Sequence, residues 1–204
     1  MHLRGWLYRR EDDRRFTLTN RVADLTRPQV NDKSLTLCAW DALKRLRDET
    51  GETAQLITLS EYKALVLEQC ESDQPIKVAG RVGIRVPAYS SAPGKAILAA
   101  LPKVELDQFF KAVKLKQFTP TTHSTTDDLR KDLELARKKG YAVDLAEGLE
   151  GIHCVGAVIL DTYQYPVGAL TVIGPSFRVT EARFAEIGAQ CIAAANSARE
   201  RLLE

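Results

Sequence analysis

The chain has 204 residues, of which 45% are hydrophobic and 27% are charged, with a formal net charge of +2. This composition is typical of a globular protein with one sizeable domain and a smaller segment. No apolar run approaches the roughly 20 residues of a membrane-spanning helix, and the first ten residues lack the apolar core of a signal peptide. We therefore expect a cytoplasmic protein with no membrane partner.

Residues 5–19, GWLYRREDDRRFTLT, have the pattern of a β-hairpin, with alternating apolar residues on two arms and an acidic turn. Four arginines flank that turn: Arg9, Arg10, Arg14 and Arg15. Residues 1–30 hold seven arginines and four acidic residues, so an anionic partner would bind here. Two interpretations are open, a solvated surface or a wing whose arginines contact DNA phosphates.

The pattern beyond residue 30 predicts alternating helices and strands. In chain order these are a helix from Asp32 or Ser34 to Gly51, strands at 54–59 and 64–70, a strand with irregular loop at 76–89, helices at about 92–101, 103–113 and 127–139, strands at 141–147, 153–160 and 167–174, and a long helix after Thr180. Short turns between strands favour an antiparallel sheet. We therefore predict an α+β fold with helices flanking the sheet, rather than a doubly wound fold.

A Gly-Lys pair lies at the start of one predicted helix, in residues 89–101, YSSAPGKAILAAL. It does not belong to a phosphate-binding Walker loop, because Tyr89 and Ala96 occupy the two diagnostic positions of that motif. The sequence therefore gives no support for nucleotide binding.

The same residues have the features of a helix start. Ser90 or Ser91 can cap the helix, Pro93 suits its first turn, and Gly94 leaves the backbone uncovered. Free amides at such an end suit a carboxylate ligand. An ordinary capped helix start and an anion site are both consistent with the sequence alone.

Three polar residues in the predicted strands, Asp144, His153 and Cys154, allow several interpretations. Adjacent strand residues point to opposite faces, so His153 is poorly placed to activate Cys154 as a nucleophile. Metal ligands normally have closer spacing than these three. The three histidines and the four cysteines are likewise scattered, which indicates reduced thiols and no structural zinc site. A small buried thiol at Cys154, and a β-branched strand residue at Thr171, are the simpler interpretations.

Three segments together resemble the IclR-type bacterial transcriptional regulators: SAPGKAILAAL (91–101), LRKDLELARKKGYAVDLAEGLEGIHCVGAVILD (129–161) and YPVGALTVIGPSFRVT (165–180). The resemblance covers residues 4–204. It implies a winged helix-turn-helix remnant (the wing) at 1–30, a linker helix at 31–51 and an effector-binding domain with a GAF-like or profilin-like sheet at 52–204. Such proteins bind operator DNA as dimers or tetramers, and a small metabolite, often an organic acid, alters that binding.

The resemblance also implies a ligand pocket and no catalytic residue, metal or cofactor. Carried over by position, the pocket residues are Ala92, Pro93, Gly94, Asp144, Ile152, Cys154, Thr171 and Ile173, with Val78 and Val86 as apolar wall. Gly94 is expected to bare amides for a carboxylate, and Lys95 to point away as a surface or interface residue. Pro93 removes one amide donor, and Ile173 narrows the pocket, which favours an acid with an apolar part.

The helices that precede the wing in that family have no counterpart in these 204 residues, so we expect little direct base readout by them. Two alternative functions remain. One is a thiol enzyme that uses Cys154 on a GAF-like sheet. The other is a small-molecule sensor that acts without DNA, through a protein partner.

Overall fold

The structure is a computed structural model that describes residues 7–9, 16–18, 29–30 and 33–204. Leu7–Arg9 (β1) and Phe16–Leu18 (β2) pair as an antiparallel hairpin, with Leu7 opposite Leu18. This confirms the predicted hairpin pairing, whereas Arg10, Arg14 and Arg15 lie outside the described residues. Gln29–Val30 (β3) and Lys33–Ser34 (β4) form a second short antiparallel pair.

A six-stranded antiparallel sheet forms the centre of the molecule. Its strands are Thr53–Ser60 (β5), Lys63–Cys70 (β6), Arg85–Pro87 (β7), Ala142–Leu145 (β8), Ile152–Leu160 (β9) and Pro166–Pro175 (β10). Their spatial order is β7-β6-β5-β10-β9-β8. The last strand of the chain therefore lies between the first and the penultimate strands of the sheet, and the sheet edges are β7 and β8.

Within residues 33–204, five helices flank this sheet. They are Leu35–Thr50 (α1), Ala92–Ala100 (α2), Lys103–Ala112 (α3), Thr126–Lys139 (α4) and Phe184–Leu203 (α5), with short 3₁₀ helices at Ala88–Ser90 and Glu181–Arg183. The predicted α+β arrangement is confirmed. None of the helices in the described ranges is both long and apolar enough to span a membrane.

Local signals explain where two of these helices end. Gly51 and Gly140 follow α1 and α4 with φ of 72° and 80°, the left-handed conformation that a residue without Cβ adopts readily. The hydroxyl of Thr125 accepts a hydrogen bond from the amide of Asp128 and caps α4. The predicted ends of these helices are therefore confirmed to within a residue.

One face of the sheet is covered by α1 and α5 and is apolar. The fully buried residues of this core include Leu35, Leu43, Val155, Leu170, Val172 and Ile187. The predicted stripe of α1, which contains Ala39, Ala42 and Leu46, faces the same core. Burial of apolar area stabilises this layer, so α1 is packed onto the sheet along its length.

The other face of the sheet is covered by α2, which packs across β8, β9 and β10. Residues 71–84, between β6 and β7, also reach this face, because the hydroxyl of Thr53 donates to the carbonyl oxygen of Val78 at 2.7 Å. Arg178 holds the same segment: it donates to the carbonyl oxygen of Ile76 at 2.6 Å and pairs with the buried carboxylate of Glu52. This second face carries the polar groups described next.

Candidate functional site

The site begins with two rows of side chains that the strand register places side by side under α2. The first row is Asp144, Cys154, Ile173 and Thr53, and the second is Ala142, Gly156, Thr171 and Gln55. Residues on one strand that are two apart share a face, so both rows face α2. Ile152 lies on the same face beyond the first row. The structure therefore brings together five predicted site residues from three strands.

The start of α2 lies directly above the second row. A Cβ atom at Gly156 would lie 3.2 Å from the backbone nitrogen of Pro93 and 3.2 Å from the Cβ of Thr171. Glycine at this position thus allows the helix to approach the sheet. Ala92, Pro93 and Gly94 are all buried, as are Cys154 and Thr171. The half-buried part of the site is at Ile152 and Ile173, near the ends of their strands.

The serines before α2 do not cap it with their side chains in the described part of the chain. Ser91 occupies the N-cap position, but its hydroxyl donates to the carbonyl oxygen of Ala88 at 3.4 Å. Ser90 donates to the carbonyl oxygen of Pro87. Ser91 is therefore at the predicted cap position, but neither serine accepts a hydrogen bond from the first turn of α2, whose amides have no side-chain acceptor among the described residues.

Gly94 has a packing role that the sequence did not reveal. A Cβ atom at this position would lie 2.3 Å from the carbonyl oxygen of Ala88, closer than any side chain tolerates. The space beside its Cα is therefore occupied by the preceding 3₁₀ helix. The need for glycine here comes from this contact, and not from a free surface over the Cα atom.

Thr171 is 1% exposed, and its hydroxyl donates to the carbonyl oxygen of Val155 at 2.8 Å. The one proton that this hydroxyl can donate is therefore already bonded within the sheet. The oxygen can still accept a hydrogen bond from a ligand. Burial of this threonine agrees with its predicted place on the inner face of a strand.

Asp144 is 5% exposed and is the penultimate residue of β8. Its Oδ1 accepts a hydrogen bond of 2.7 Å from the amide of Glu147 and closes the turn that contains Ala146, which has a positive φ of 59°. Burial, and secondly the charge of Glu147, raise the pKa of Asp144 to about 7. This carboxyl group is therefore partly protonated near neutral pH.

Cys154 lies beside Asp144 as its cross-strand partner. Burial, and secondly the neighbouring Asp144, raise the pKa of the Cys154 thiol well above its ordinary value. His153 lies on the opposite face of β9, where its Nδ1 is 2.8 Å from the carbonyl oxygen of Val179 and its ring packs edge-on against Phe184. The geometry therefore favours an unreactive thiol at this position.

Lys95 follows Gly94 and is 1% exposed, so the prediction of a surface or interface lysine was wrong. Its Nζ lies 2.6 Å from Asp132 Oδ2 on α4 and 2.5 Å from Glu147 Oε1. Burial by itself would lower the pKa of Lys95, because it disfavours the charged ammonium. The attraction of the two carboxylates is the larger effect, so the pKa of Lys95 is raised above its ordinary value. The lysine therefore joins α2, α4 and the turn after β8 as a permanent cation.

His123 completes this charged cluster, with Nε2 at 3.1 Å from Asp132 Oδ2 and 3.9 Å from Glu147 Oε2. Burial alone would raise the pKa of Asp132, but the hydrogen bond from His123 and the charge of Lys95 lower it to about 2. His123, Asp132 and Glu147 are residue types that bind divalent metals. Because the ammonium of Lys95 already lies between the two carboxylates, we assign no metal to this cluster.

The two predicted wall residues have different positions. Val78 lies beside the first row, since Thr53 holds its carbonyl oxygen. Val86 lies on β7 at the opposite sheet edge from Asp144. Three strand spacings separate β7 from β10, about 14 Å at roughly 4.8 Å each, so the structure does not bring Val86 to the other predicted residues.

Sequence reasoning missed two polar residues in the rows, Thr53 and Gln55, which are 0% and 6% exposed. The side-chain amide of Gln55 donates to Gln69 at 3.2 Å beneath Gly80. The sequence does contain a signal for them, because polar residues alternate with apolar residues at the start of β5. The apolar residues of this alternation face the other layer. Glu147 and Asp132 were missed because their role depends on Lys95.

On the side of α2 that faces α3 and α4, away from these rows, the described residues line two surface clefts. One has a volume of about 400 Å³ and includes Leu101, Leu106 and Arg137, and the other, of about 230 Å³, includes Ala96, Tyr141 and Arg137. Neither contains a predicted site residue.

Comparison with known proteins places these features in a family. The family model described as "Bacterial transcriptional regulator IclR C-terminal" matches residues 30–199. The HTH-type transcriptional repressor AllR of Escherichia coli (strain K12) is 34% identical over 159 residues, 78% of this chain and 59% of the relative. The transcriptional repressor IclR of the same strain is 30% identical over 168 residues, 81% of this chain and 61% of the relative.

A solved structure gives the same result for the fold. The crystal structure of the Thermotoga maritima IclR matches with a TM-score of 0.81 and 32% identity, and it covers 98% of this chain and 81% of that chain. The predicted effector-domain fold, with its GAF-like or profilin-like sheet, is thereby confirmed. This chain spans about three-fifths of the length of the curated relatives it matches.

Proposed function

This chain belongs to the IclR family of bacterial transcriptional regulators, and on that premise we propose that its sheet binds a small metabolite whose presence alters binding to operator DNA. The observation that carries the proposal is the group of buried polar side chains, Asp144, Cys154 and Thr171, beneath the start of α2. Buried polar groups lower stability unless they are paired, so their collection on one face is typical of a binding site.

A carboxylate is the ligand class that this site favours. The first turn of α2 has amides without a side-chain acceptor in the described chain, and the helix dipole adds partial positive charge there. Ile152 and Ile173 supply an apolar, half-buried approach. We propose that the acid group of the effector lies at the start of α2 and that its apolar part contacts the two isoleucines. Because Gly94 is packed against Ala88, the acid group would approach the amides from the side that faces Asp144.

Binding would be reversible and non-covalent, and the protein would not be an enzyme. The alternative of a thiol nucleophile at Cys154 is disfavoured by the raised pKa of that buried group. Labelling with iodoacetamide between pH 6 and 9 distinguishes the two. Slow reaction of Cys154 throughout this range supports the regulator, and rapid reaction at pH 7 supports the enzyme.

The DNA partner and the assembly are further parts of the proposal. We propose that a winged helix-turn-helix domain binds the operator, that residues 1–30 supply its wing through Arg9, Arg10, Arg14 and Arg15, and that residues 52–204 sense the effector in a cytoplasmic dimer or tetramer. The effector alters DNA affinity only if it binds two arrangements of the assembly with different affinity. A DNA-independent sensor is the alternative, and a mobility-shift assay of the full-length regulator on its own promoter separates the two.

Isothermal titration against small carboxylates tests the binding site. Acetate, pyruvate, succinate and benzoate differ in size and apolar part, and at least one is expected to bind. Asp144→Ala and Thr171→Val should weaken that binding at least tenfold, while Asp127→Ala, on the exposed first turn of α4, serves as the matched control. If both site variants bind as the wild type does, the assignment of the site is wrong.

A further inference from the structure

Three carboxyl groups, those of Asp132, Asp144 and Glu147, lie near the start of α2, and the buried Lys95 pairs with two of them. Lys95 forms ion pairs with Glu147 and Asp132, and within residues 33–204 no ion pair reaches Asp144. Glu147 is almost completely buried, and its Oε2 finds no hydrogen-bond partner among the described residues. If Asp144 were ionised, two almost completely buried carboxylates, Asp144 and Glu147, would therefore face one buried cation, Lys95, among the described residues.

An incoming carboxylate would add another negative charge beside this excess. Like charges that are close in a buried site repel strongly, because little water screens them. If Asp144 were ionised, it would repel the acid group of the effector and offer it no hydrogen bond, because a carboxylate is only an acceptor. A proton on Asp144 removes both obstacles.

The turn after β8 fixes the orientation in which Asp144 would carry that proton. Its Oδ1 already accepts a hydrogen bond from the amide of Glu147, which suits the carbonyl oxygen of a neutral carboxyl group. The proton then belongs on Oδ2, where an O–H group can donate to a carboxylate oxygen in a short, charge-assisted hydrogen bond. The thiol of Cys154 is the cross-strand neighbour of Asp144. A bound effector would take the place of this thiol as the hydrogen-bond partner of the Asp144 carboxyl group.

We propose that this site binds a carboxylate effector together with one proton, which Asp144 holds on Oδ2 and donates as a hydrogen bond to the effector. The inference rests on the proposed function and adds to it that effector affinity depends on pH. No covalent bond is made or broken apart from the transfer of one proton from solvent to the carboxyl group. Effector affinity would therefore be higher at acidic pH than at alkaline pH.

Three titratable groups around Asp144, those of Lys95, Asp132 and Cys154, keep one protonation state between pH 6 and pH 8. The pKa of Lys95 is raised and that of Asp132 is lowered to about 2, so both stay ionised. The raised pKa of Cys154 keeps its thiol neutral. Glu147 is paired with Lys95. His123 contacts Asp132 rather than Asp144, and a His123→Gln variant separates a proton taken up there from one taken up by Asp144.

The test is isothermal titration with the tightest-binding of acetate, pyruvate, succinate and benzoate, at pH 6, 7 and 8, in phosphate and in Tris. The difference in heat between buffers gives the number of protons taken up. We expect about one proton at pH 8, close to none at pH 6, and an affinity about tenfold lower at pH 8 than at pH 6. Asp144→Asn keeps an acceptor for the Glu147 amide and a permanent donor, so its uptake and its pH dependence should vanish.

The outcomes are distinguishable. Binding by the wild type without proton uptake, and with equal affinity at all three pH values, overturns the inference alone. Uptake that persists in Asp144→Asn and disappears in His123→Gln also overturns it. Absence of binding of every probe at every pH contradicts the proposed function, and the inference with it. Circular dichroism of each variant verifies that it is folded.

Discussion

The two faces of the central sheet differ in what they bury. The face under α1 and α5 buries apolar side chains such as Leu56, Val155 and Leu170, all 0% exposed. The face under α2 buries Thr53, Asp144 and Thr171 to almost the same degree. Alternate residues of the same strands thus supply an apolar core to one layer, whereas the other layer combines hydrogen-bonding groups with apolar residues such as Ile57 and Ala169.

This difference indicates that one face of the sheet contributes mainly to stability and the other mainly to binding. Apolar burial contributes about 25 cal/mol per Å² and needs no particular partner. A buried polar group contributes to stability only when a specific partner satisfies it. The polar face therefore depends on individual contacts, such as those of Lys95 and Asp144, and substitutions on the two faces should have different consequences.

The largest expected effect is on the polar face, at Lys95. Lys95→Met removes the cation between two buried or partly buried carboxylates, and leaving them uncompensated should lower the free energy of unfolding by about 3–5 kcal/mol. Urea denaturation at pH 7 measures this change. Lys103→Met, at the exposed start of α3, is the control and should change stability by less than about 0.5 kcal/mol. A loss below about 1 kcal/mol for Lys95→Met would mean that the cluster is not the anchor described.

On the apolar face, Leu170→Ala tests the core. Leu170 is 0% exposed, and its truncation leaves a cavity that should lower the free energy of unfolding by about 2–5 kcal/mol. Thermal unfolding followed by circular dichroism measures the loss. Leu135→Ala, at an exposed position of α4, should cost far less, and equal losses at both positions would contradict the assigned core.

A smaller and pH-dependent effect is expected at Asp144. The pKa of Asp144 is about 7 in the folded protein, whereas the ordinary pKa of an aspartate is 3.8. Between pH 4 and pH 7 the folded state therefore binds more protons at this group than the unfolded state does. Stability from this group is therefore greatest below pH 4 and declines as pH rises towards 8. Asp144→Asn should gain stability relative to the wild type by about 2 kcal/mol between pH 5 and pH 8, as measured by urea denaturation at each pH. A constant difference would show that Asp144 titrates normally.

The smallest effect on stability is expected at Thr171, the neighbour of Leu170. Thr171→Val keeps the shape of the side chain and removes one hydrogen bond to Val155, which is worth about 0.5–1.5 kcal/mol. Compared in one denaturation series, Leu170→Ala should lose clearly more stability, although Thr171→Val should lose more effector affinity. If the losses in stability are equal, the division between the two faces is weaker than proposed.

The order and type of the elements followed from the sequence because their signals are local. The pattern predicted that α1 ends at Gly51, and the predicted range of 127–139 for α4 lies within one residue of its observed bounds. These signals depend on residues within a few positions of one another. The expectation that Asp144, Cys154 and Thr171 line one site came from the family resemblance, because the three residues belong to three different strands.

The tertiary structure alone decided the roles of Lys95 and Gly94. The partners of Lys95 lie 37 and 52 residues away along the chain, and a Gly-Lys pair at a helix start gives no sign of them. Gly94 is required by its contact with the carbonyl oxygen of Ala88, which exists only once the 3₁₀ helix and α2 have folded together. Secondary structure can be read from short-range patterns, whereas the compensation of buried charge depends on which distant groups the fold brings within a few ångströms.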